Sequence, residues 1–486
     1  MRKYILTFLA LISLLSSADA LTFYGRWMTF PTEYPESSIC ITTKWNMVDT
    51  SVVIYSMHID KNKLFIDSTI SIESTPRCRH HHILGGSPVL HRDSTYYYQI
   101  RDMAGTNYSD VDSFKVPSIR STDFQGIIWF MSDFQIRLSL EDAARHDSSI
   151  AVVARLRQRV DAGLIPRPDL IVDCGDMVNT SWSASILDSA WNLYASILDT
   201  IHELAPIIPV PGNHDGTGAY CKAWSAAGYV AADDIKAGIN AQADSTGWRW
   251  HFNTAPSGLA RGTEADFGDH QYTLVYGNIR IIVLSVCNAY INHPYAKSMD
   301  KPTKDSLQYV WLDSILTATK TDSDIDYILE LHHANETPYP NIYPNGAVVN
   351  RDNGRWYNWS LHSWTSAEDT LLQIYCQDIR PLLIADSINA MVVTGHNYFS
   401  TGMTDSNMRE YWGGSPIFTC AGMDGASTGS GSILTWQFSD STITVWYEKL
   451  QTYPTAYAYW AGYPWGSRGD SRFIVFQSIG NRIKGW

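Results

Sequence analysis

Five short apolar, β-prone runs each end in side chains able to bind a ligand, and this repeated pattern constrains the fold more than any other feature of the chain. Ile127, Ile128, Trp129, Phe130 and Met131 lead into Ser132-Asp133-Phe134-Gln135. Leu170, Ile171 and Val172 lead into Cys174-Gly175-Asp176, and Ile207, Ile208, Pro209 and Val210 into Gly212-Asn213-His214-Asp215. Tyr327, Ile328, Leu329, Glu330 and Leu331 reach His332-His333, while Met391, Val392, Val393 and Thr394 reach Gly395-His396-Asn397-Tyr398. Runs of this length and composition are expected as buried strands, which places each polar set just past a C-terminal strand end. Open α/β sheets bind their ligands at that edge.

Carboxylate and amide oxygens suit hard cations, and imidazole extends such a site to Zn, Fe, Mn or Ni. An Asp that follows a strand is by itself more often a helix cap or a turn residue. The ordered set, with Gly212-Asn213-His214-Asp215 at its middle, is hard to explain by structure alone and points to a metal hydrolase.

The order Asp133, Gly175-Asp176, Gly212-Asn213-His214-Asp215, His332, Gly395-His396 resembles the calcineurin-like metallophosphoesterase superfamily, and within it the purple acid phosphatase-like branch. The resemblance spans about residues 125–450. It implies an α/β fold, an α/β/β/α layered sandwich, holding a divalent or mixed-valence pair of Fe, Zn or Mn. It also implies a phosphate monoester (acid phosphatase-like) or diester as substrate, attacked by metal-activated hydroxide. By the same resemblance Asp133 serves the first metal and Asp176 bridges both. Asn213, His332 and His396 complete the second, His332 being preferred to His333 as the first residue after the strand. His214 is then the proton donor to the leaving group, oriented by Asp215.

The chain departs from the family around the first metal. Gln135 stands where the superfamily offers Asp-x-His, Tyr398 where it offers the second His of Gly-His-x-His, and Asn179 where the purple branch has its iron-binding Tyr. Two readings stay open. In one, Gln135 and Tyr398 rebuild an oxygen-rich first site. In the other, only one metal binds and the dual clamp on the reacting oxygens is lost. A third reading, from a different class, is a metal-deficient pseudophosphatase used as an exported binding protein. The Gly-x-Ser-x-Gly match at Gly425 to Gly429 falls in a bare Gly- and Ser-rich segment, Gly425 to Gly431, that reads as a loop and not as a nucleophile elbow, so a serine hydrolase is poorly supported.

The remaining chain supplies context. Arg2-Lys3, an apolar run and Ala18-Asp19-Ala20 read as a signal peptide over residues 1–20, so a secreted or periplasmic location without a membrane anchor is expected. The net charge of −13 argues against nucleic-acid binding and leaves phosphate affinity to local metal ions. Residues 21–117 alternate in short runs and resemble the fibronectin type III-like all-β sandwich that precedes the catalytic domain in purple acid phosphatases. Within them His80, His81 and His82 read as a solvated loop. Seven cysteines leave at least one unpaired; Cys40 with Cys78 and Cys221 with Cys376 are candidate bridges, while Cys174, Cys287 and Cys420 read as buried thiols. Helices are expected over 140–161 and 183–204, and aromatic or Gly-rich insertions over 216–270 and 335–367. The tail 451–486 is unassigned, and the oligomeric state is open.

Overall fold

The computed structural model describes residues 23–35, 38–59, 64–85, 90–102, 109–117, 124–136, 143–178, 184–212, 215, 271–284, 307–333, 389–395, 401–403, 417–420, 423, 432–439, 442–449, 473–479 and 482–485. The expected signal peptide, both expected insertions, Cys221, Cys287 and Cys376 lie outside them.

The N-terminal part is all strand among its described residues: β1 (Phe23–Thr29), β2 (Ser38–Ser56), β3 (His58–Ile59), β4 (Phe65–Ile66), β5 (Thr69–Gly85), β6 (Thr95–Asp102) and β7 (Asp112–Lys115). Strict alternation in β6 turns Tyr96, Tyr98 and Ile100 inward. The long β2 is the spine, pairing with β1, β5 and β6 in one five-stranded sheet, while β3 and β4 form a separate ribbon.

Two expectations fail here. His80 and His82 belong to β5 and are buried, not solvated. They alternate inward opposite Thr43 and Ile41, and the Ser51 hydroxyl, 3.0 Å from His82 Nε2, supplies the partner that lets an imidazole stay inside. Cys40 is a buried thiol facing Ile83. Cys78 is five strand positions further along, on the order of 15 Å at the usual rise and beyond the reach of a disulfide.

The part that follows contains β8 (Ile127–Met131), α1 (Ala143–Asp161), β9 (Leu170–Asp173), α2 (Ala184–Ile201), β10 (Ile207–Pro209), β11 (Tyr272–Tyr276), β12 (Ile279–Val283), α3 (Leu307–Thr321), β13 (Tyr327–His332) and β14 (Asn389–Thr394). It continues with β15 (Thr401–Met403), β16 (Ile417–Thr419), β17 (Ser432–Phe438), β18 (Thr442–Lys449), β19 (Phe473–Ile479) and β20 (Arg482–Gly485). One mixed sheet runs β10-β9-β8-β17-β18-β19-β20 and the other β11-β12-β13-β14-β16-β15. The expected closing hairpin is β17 with β18, and the tail continues that sheet through β19 and β20.

The two sheets share one apolar core, with Trp129, Val172 and Ile208 from the first and Ile281, Leu329, Leu331 and Val393 from the second. The Tyr272 hydroxyl, donating to the Pro209 carbonyl at 2.7 Å, crosses between them. Their parallel strands, β8-β9-β10 and β12-β13-β14-β16, give each sheet a common C-terminal edge.

The N-terminal sheet is anchored on α2. Gly25 lies so close that an added Cβ would sit 2.3 Å from the Ala195 carbonyl oxygen. Beside it Arg26 reaches Asp112 at 2.6 Å and Asp199 at 3.3 Å, and His202 Nε2 stands 2.8 Å from Asp112. Val275 N–H donates to the Glu33 carbonyl at 2.8 Å, and Arg280 pairs with the Glu33 carboxylate. Among the described residues no helix is long and apolar enough to cross a membrane.

Candidate metal centre

The chain segments leaving β8 and β9 stay together past the sheet edge. Asp133 N–H donates to the Gly175 carbonyl at 2.9 Å, Gln135 N–H to the Asp176 carbonyl at 2.8 Å, and Ile136 N–H to the Met177 carbonyl at 3.2 Å. Keeping that alignment forces unusual backbone: φ is 54° at Asp133, 43° at Gln135 and 57° at Asp176. Left-handed φ disfavours residues with a Cβ, and such positions persist where the surroundings over-determine them, often at functional sites. Among the described residues five non-glycine positions take this conformation, and these three lie on the two motif loops.

There Asp133, Asp176 and His333, all buried, bring one ligand atom each to within 4.8 Å of one another. His333 Nε2 is 3.1 Å from Asp176 Oδ2, and its Nδ1 donates to the Cys174 carbonyl at 2.6 Å. Burial opposes charge on this ring, but Asp176, then Asp133 and the Cys174 carbonyl, push its pKa up to about 10. Gln135 Nε2 donates to the same Asp176 oxygen at 3.2 Å. The Ser132 hydroxyl donates to Asp133 Oδ2 at 2.6 Å.

Asp215 holds the Asp176 loop by its backbone. Its carboxylate accepts from the N–H groups of Gly212 at 2.8 Å, Asp176 at 3.0 Å, Met177 at 2.8 Å and Val178 at 3.1 Å. Burial, and then the Asp176 charge, push Asp215 up to about 7. Behind it Asp173 accepts from Gly175 N–H at 3.1 Å and from the Tyr194 hydroxyl, and burial lifts it well above the usual carboxylate range. The tight approach needs glycine: a Cβ at Gly212 would fall 2.1 Å from Asp176 N, and one at Gly395 would fall 2.2 Å from Ser132 Oγ and 2.7 Å from His333 Nδ1.

Of the residues singled out in the sequence, Asp133, Gln135, Asp176 and Asp215 meet at this edge. His332 does not reach the carboxylate pair. It is the last residue of β13, and its Nδ1 lies 2.6 Å from Glu330 Oε1 on the face away from the shared core. The strand runs one residue further than its apolar stretch, so the first residue beyond it is His333, which the sequence reading passed over. Asn179, Asn213, His214, His396 and Tyr398 lie outside the described residues.

Two carboxylates and one imidazole, buried and within a few ångströms, are a donor set suited to Fe, Zn or Mn, and the residues present fit such an ion. A second cluster, Asp112, His202 and Glu203, also has close ligand atoms. There the Arg26 guanidinium already neutralises Asp112, so it reads as a charge network between the N-terminal sheet and α2.

Residues 127–396 match the family model for calcineurin-like phosphoesterase. No curated protein sequence matches the chain. Among solved structures, purple acid phosphatase PPD1 from seeds of yellow lupin (Lupinus luteus) superposes with TM-score 0.55 at 12% identity, over 89% of this chain and 73% of that one. A structure of PhoD superposes with TM-score 0.58 at 11% identity, over 95% of this chain and 91% of that one. At these identities the likeness is one of fold. The family match, covering more than half of the sequence, places this chain in the calcineurin-like phosphoesterase family.

Proposed function

We propose that the chain is a secreted, metal-dependent hydrolase of phosphoric esters, acting on a phosphate monoester in the manner of an acid phosphatase or on a diester. The observation that carries this reading is the convergence of Asp133, Asp176 and His333 at the sheet edge, with left-handed backbone at Asp133 and Asp176. Asp133, Asp176 and His333 would hold a metal, and by family resemblance Asn213 and His396 are assigned to a second position that Asp176 bridges. Such an ion, when bound, lowers the pKa of water toward neutrality and offsets charge on phosphoryl oxygens.

The chain's own groups position this chemistry. Asp215 fixes the Asp176 loop through four main-chain hydrogen bonds. Ser132 orients Asp133, and the Cys174 carbonyl orients His333. His214 is assigned the leaving-group proton, by resemblance. The N-terminal sheet is read as the fibronectin type III-like domain of the purple branch, and residues 1–20 as the export signal.

The test is hydrolysis of p-nitrophenyl phosphate and bis-p-nitrophenyl phosphate by the full chain with Fe, Zn or Mn, beside Asp176→Asn. Turnover lost in the variant supports the reading, and no turnover of either ester with any metal sinks it. The pseudophosphatase reading draws on one observation: the Gln135 amide donates to Asp176, at a position where the family offers a metal-binding imidazole. An inert chain that still binds inorganic phosphate would favour that reading.

A further inference from the structure

The sulfur atoms of Cys174 and Cys420 lie 3.5 Å apart, both fully buried, across 246 residues of sequence. Cys174 directly follows β9 in one sheet, and Cys420 directly follows β16 in the other. Both backbones are tied down: Cys174 N–H donates to the Met131 carbonyl at 2.7 Å, and Cys420 N–H to the Thr394 carbonyl at 2.8 Å. A disulfide needs sulfurs about 2.05 Å apart, so the remaining approach is within reach of small side-chain rotations.

We propose that Cys174 and Cys420 form a disulfide that staples the two sheets directly behind the Asp133, Asp176 and His333 cluster. Two S–H bonds break and one S–S bond forms. The two electrons and two protons pass to a disulfide oxidant, small-molecule or protein, which leaves as two thiols through a mixed-disulfide intermediate. Both sulfurs are fully buried, out of reach of an oxidant once the protein has folded, so exchange belongs to the folding chain, before the sheets close. An oxidising compartment supplies such oxidants, and the closed core then shields the bond from reductants.

The staple has a local consequence at the cluster. The Cys174 carbonyl is the group that accepts the hydrogen bond of His333 Nδ1, and Cys174 stands two residues before Asp176. Linking its side chain to Cys420 fixes that carbonyl against the second sheet, whatever ion the cluster holds.

The experiment is peptide mapping of the full chain folded in a mixture of reduced and oxidised glutathione, alkylated under denaturing conditions and digested. The expected product is one cross-linked pair of peptides carrying Cys174 and Cys420, split by dithiothreitol. Recovery of both as alkylated free thiols, or of either joined to another cysteine, overturns the proposal. Thermal melting adds a second readout. Denaturation, reduction and refolding in dithiothreitol should lower the wild-type midpoint by on the order of 10 °C more than that of Cys420→Ala. Equal shifts in the two proteins overturn the staple. Should Cys420→Ala fail to fold, the wild-type map decides alone.

Discussion

The imidazole of His333 faces the carboxylate of Asp176 at 3.1 Å, while its neighbour His332 is turned to Glu330 on the opposite side of the same strand. Strand geometry sends adjacent side chains to opposite faces, so only one of the two histidines can serve a centre between the sheets. His333→Ala is expected to lower turnover by more than roughly 100-fold and to reduce bound metal, with a small change in melting temperature. His332→Ala removes the imidazole from a buried carboxylate and should cost about 3 kcal/mol of stability while sparing turnover per folded molecule. Metal content, kinetics and melting of the two variants side by side check this. The opposite pattern would return the ligand role to His332.

Asp215 offers a different kind of test, because every hydrogen bond described above for its carboxylate is to main chain. Asp215→Asn keeps the shape but exchanges one accepting oxygen for a donor aimed at N–H groups. A loss of about 3 kcal/mol and of most bound metal is expected, measured by denaturant unfolding and elemental analysis. Turnover should fall because the Asp176 loop opens, so raised metal concentration should restore part of it.

Much of this architecture was legible in the sequence, and the misses have physical causes. Strands buried on both faces read as continuous apolar runs, so β8 falls where Ile127 to Met131 predict it and β13 begins at Tyr327 as expected. The end of β13 was not legible, because its last pairing, His332 with Thr394, depends on a neighbouring strand and not on hydrophobicity. That single residue sets His333, and not His332, beside Asp133 and Asp176. Polarity alone points His80 and His82 to solvent, whereas Ser51 meets His82 inside the sheet. The left-handed backbone at Asp133, Gln135 and Asp176 leaves no mark in composition, and neither does the meeting of Cys174 with Cys420.

The buried His82 gives the N-terminal sheet a pH dependence whose sign can be worked out. Burial, then the charges of His80 and His81, lower its pKa to about 3, against an ordinary value of 6.5. Between those values the unfolded chain takes up a proton that the folded chain refuses. This contribution is therefore complete above pH 6.5 and is lost as the pH falls toward 3, reaching about 5 kcal/mol by the usual linkage. His82→Gln can keep a hydrogen bond to Ser51 without titrating. Its unfolding free energy should change less between pH 6.5 and 4 than that of the wild type in urea titrations at each pH. Parallel curves would remove His82 as the cause.

Gln135 is where this chain most visibly leaves its family, and the structure says what a reversal should do. The side chain is buried, its amide donates to Asp176 Oδ2 at 3.2 Å, and its φ of 43° is one that His tolerates better than most residues. Gln135→His therefore asks for no new backbone conformation, and it sets a neutral nitrogen donor beside Asp133 and Asp176 in place of an amide N–H. If loss of that imidazole is what weakens the first metal position, the variant should bind more metal per chain and hydrolyse phosphate esters faster, on the order of 10-fold. Elemental analysis after equilibration with Fe, Zn or Mn, together with steady-state kinetics, checks both parts. Unchanged stoichiometry with two metals already present would mean that oxygen donors such as Tyr398 have rebuilt the site. Unchanged stoichiometry with one metal would mean that the first position needs more than this imidazole, and Gln135→His combined with Tyr398→His becomes the variant to measure.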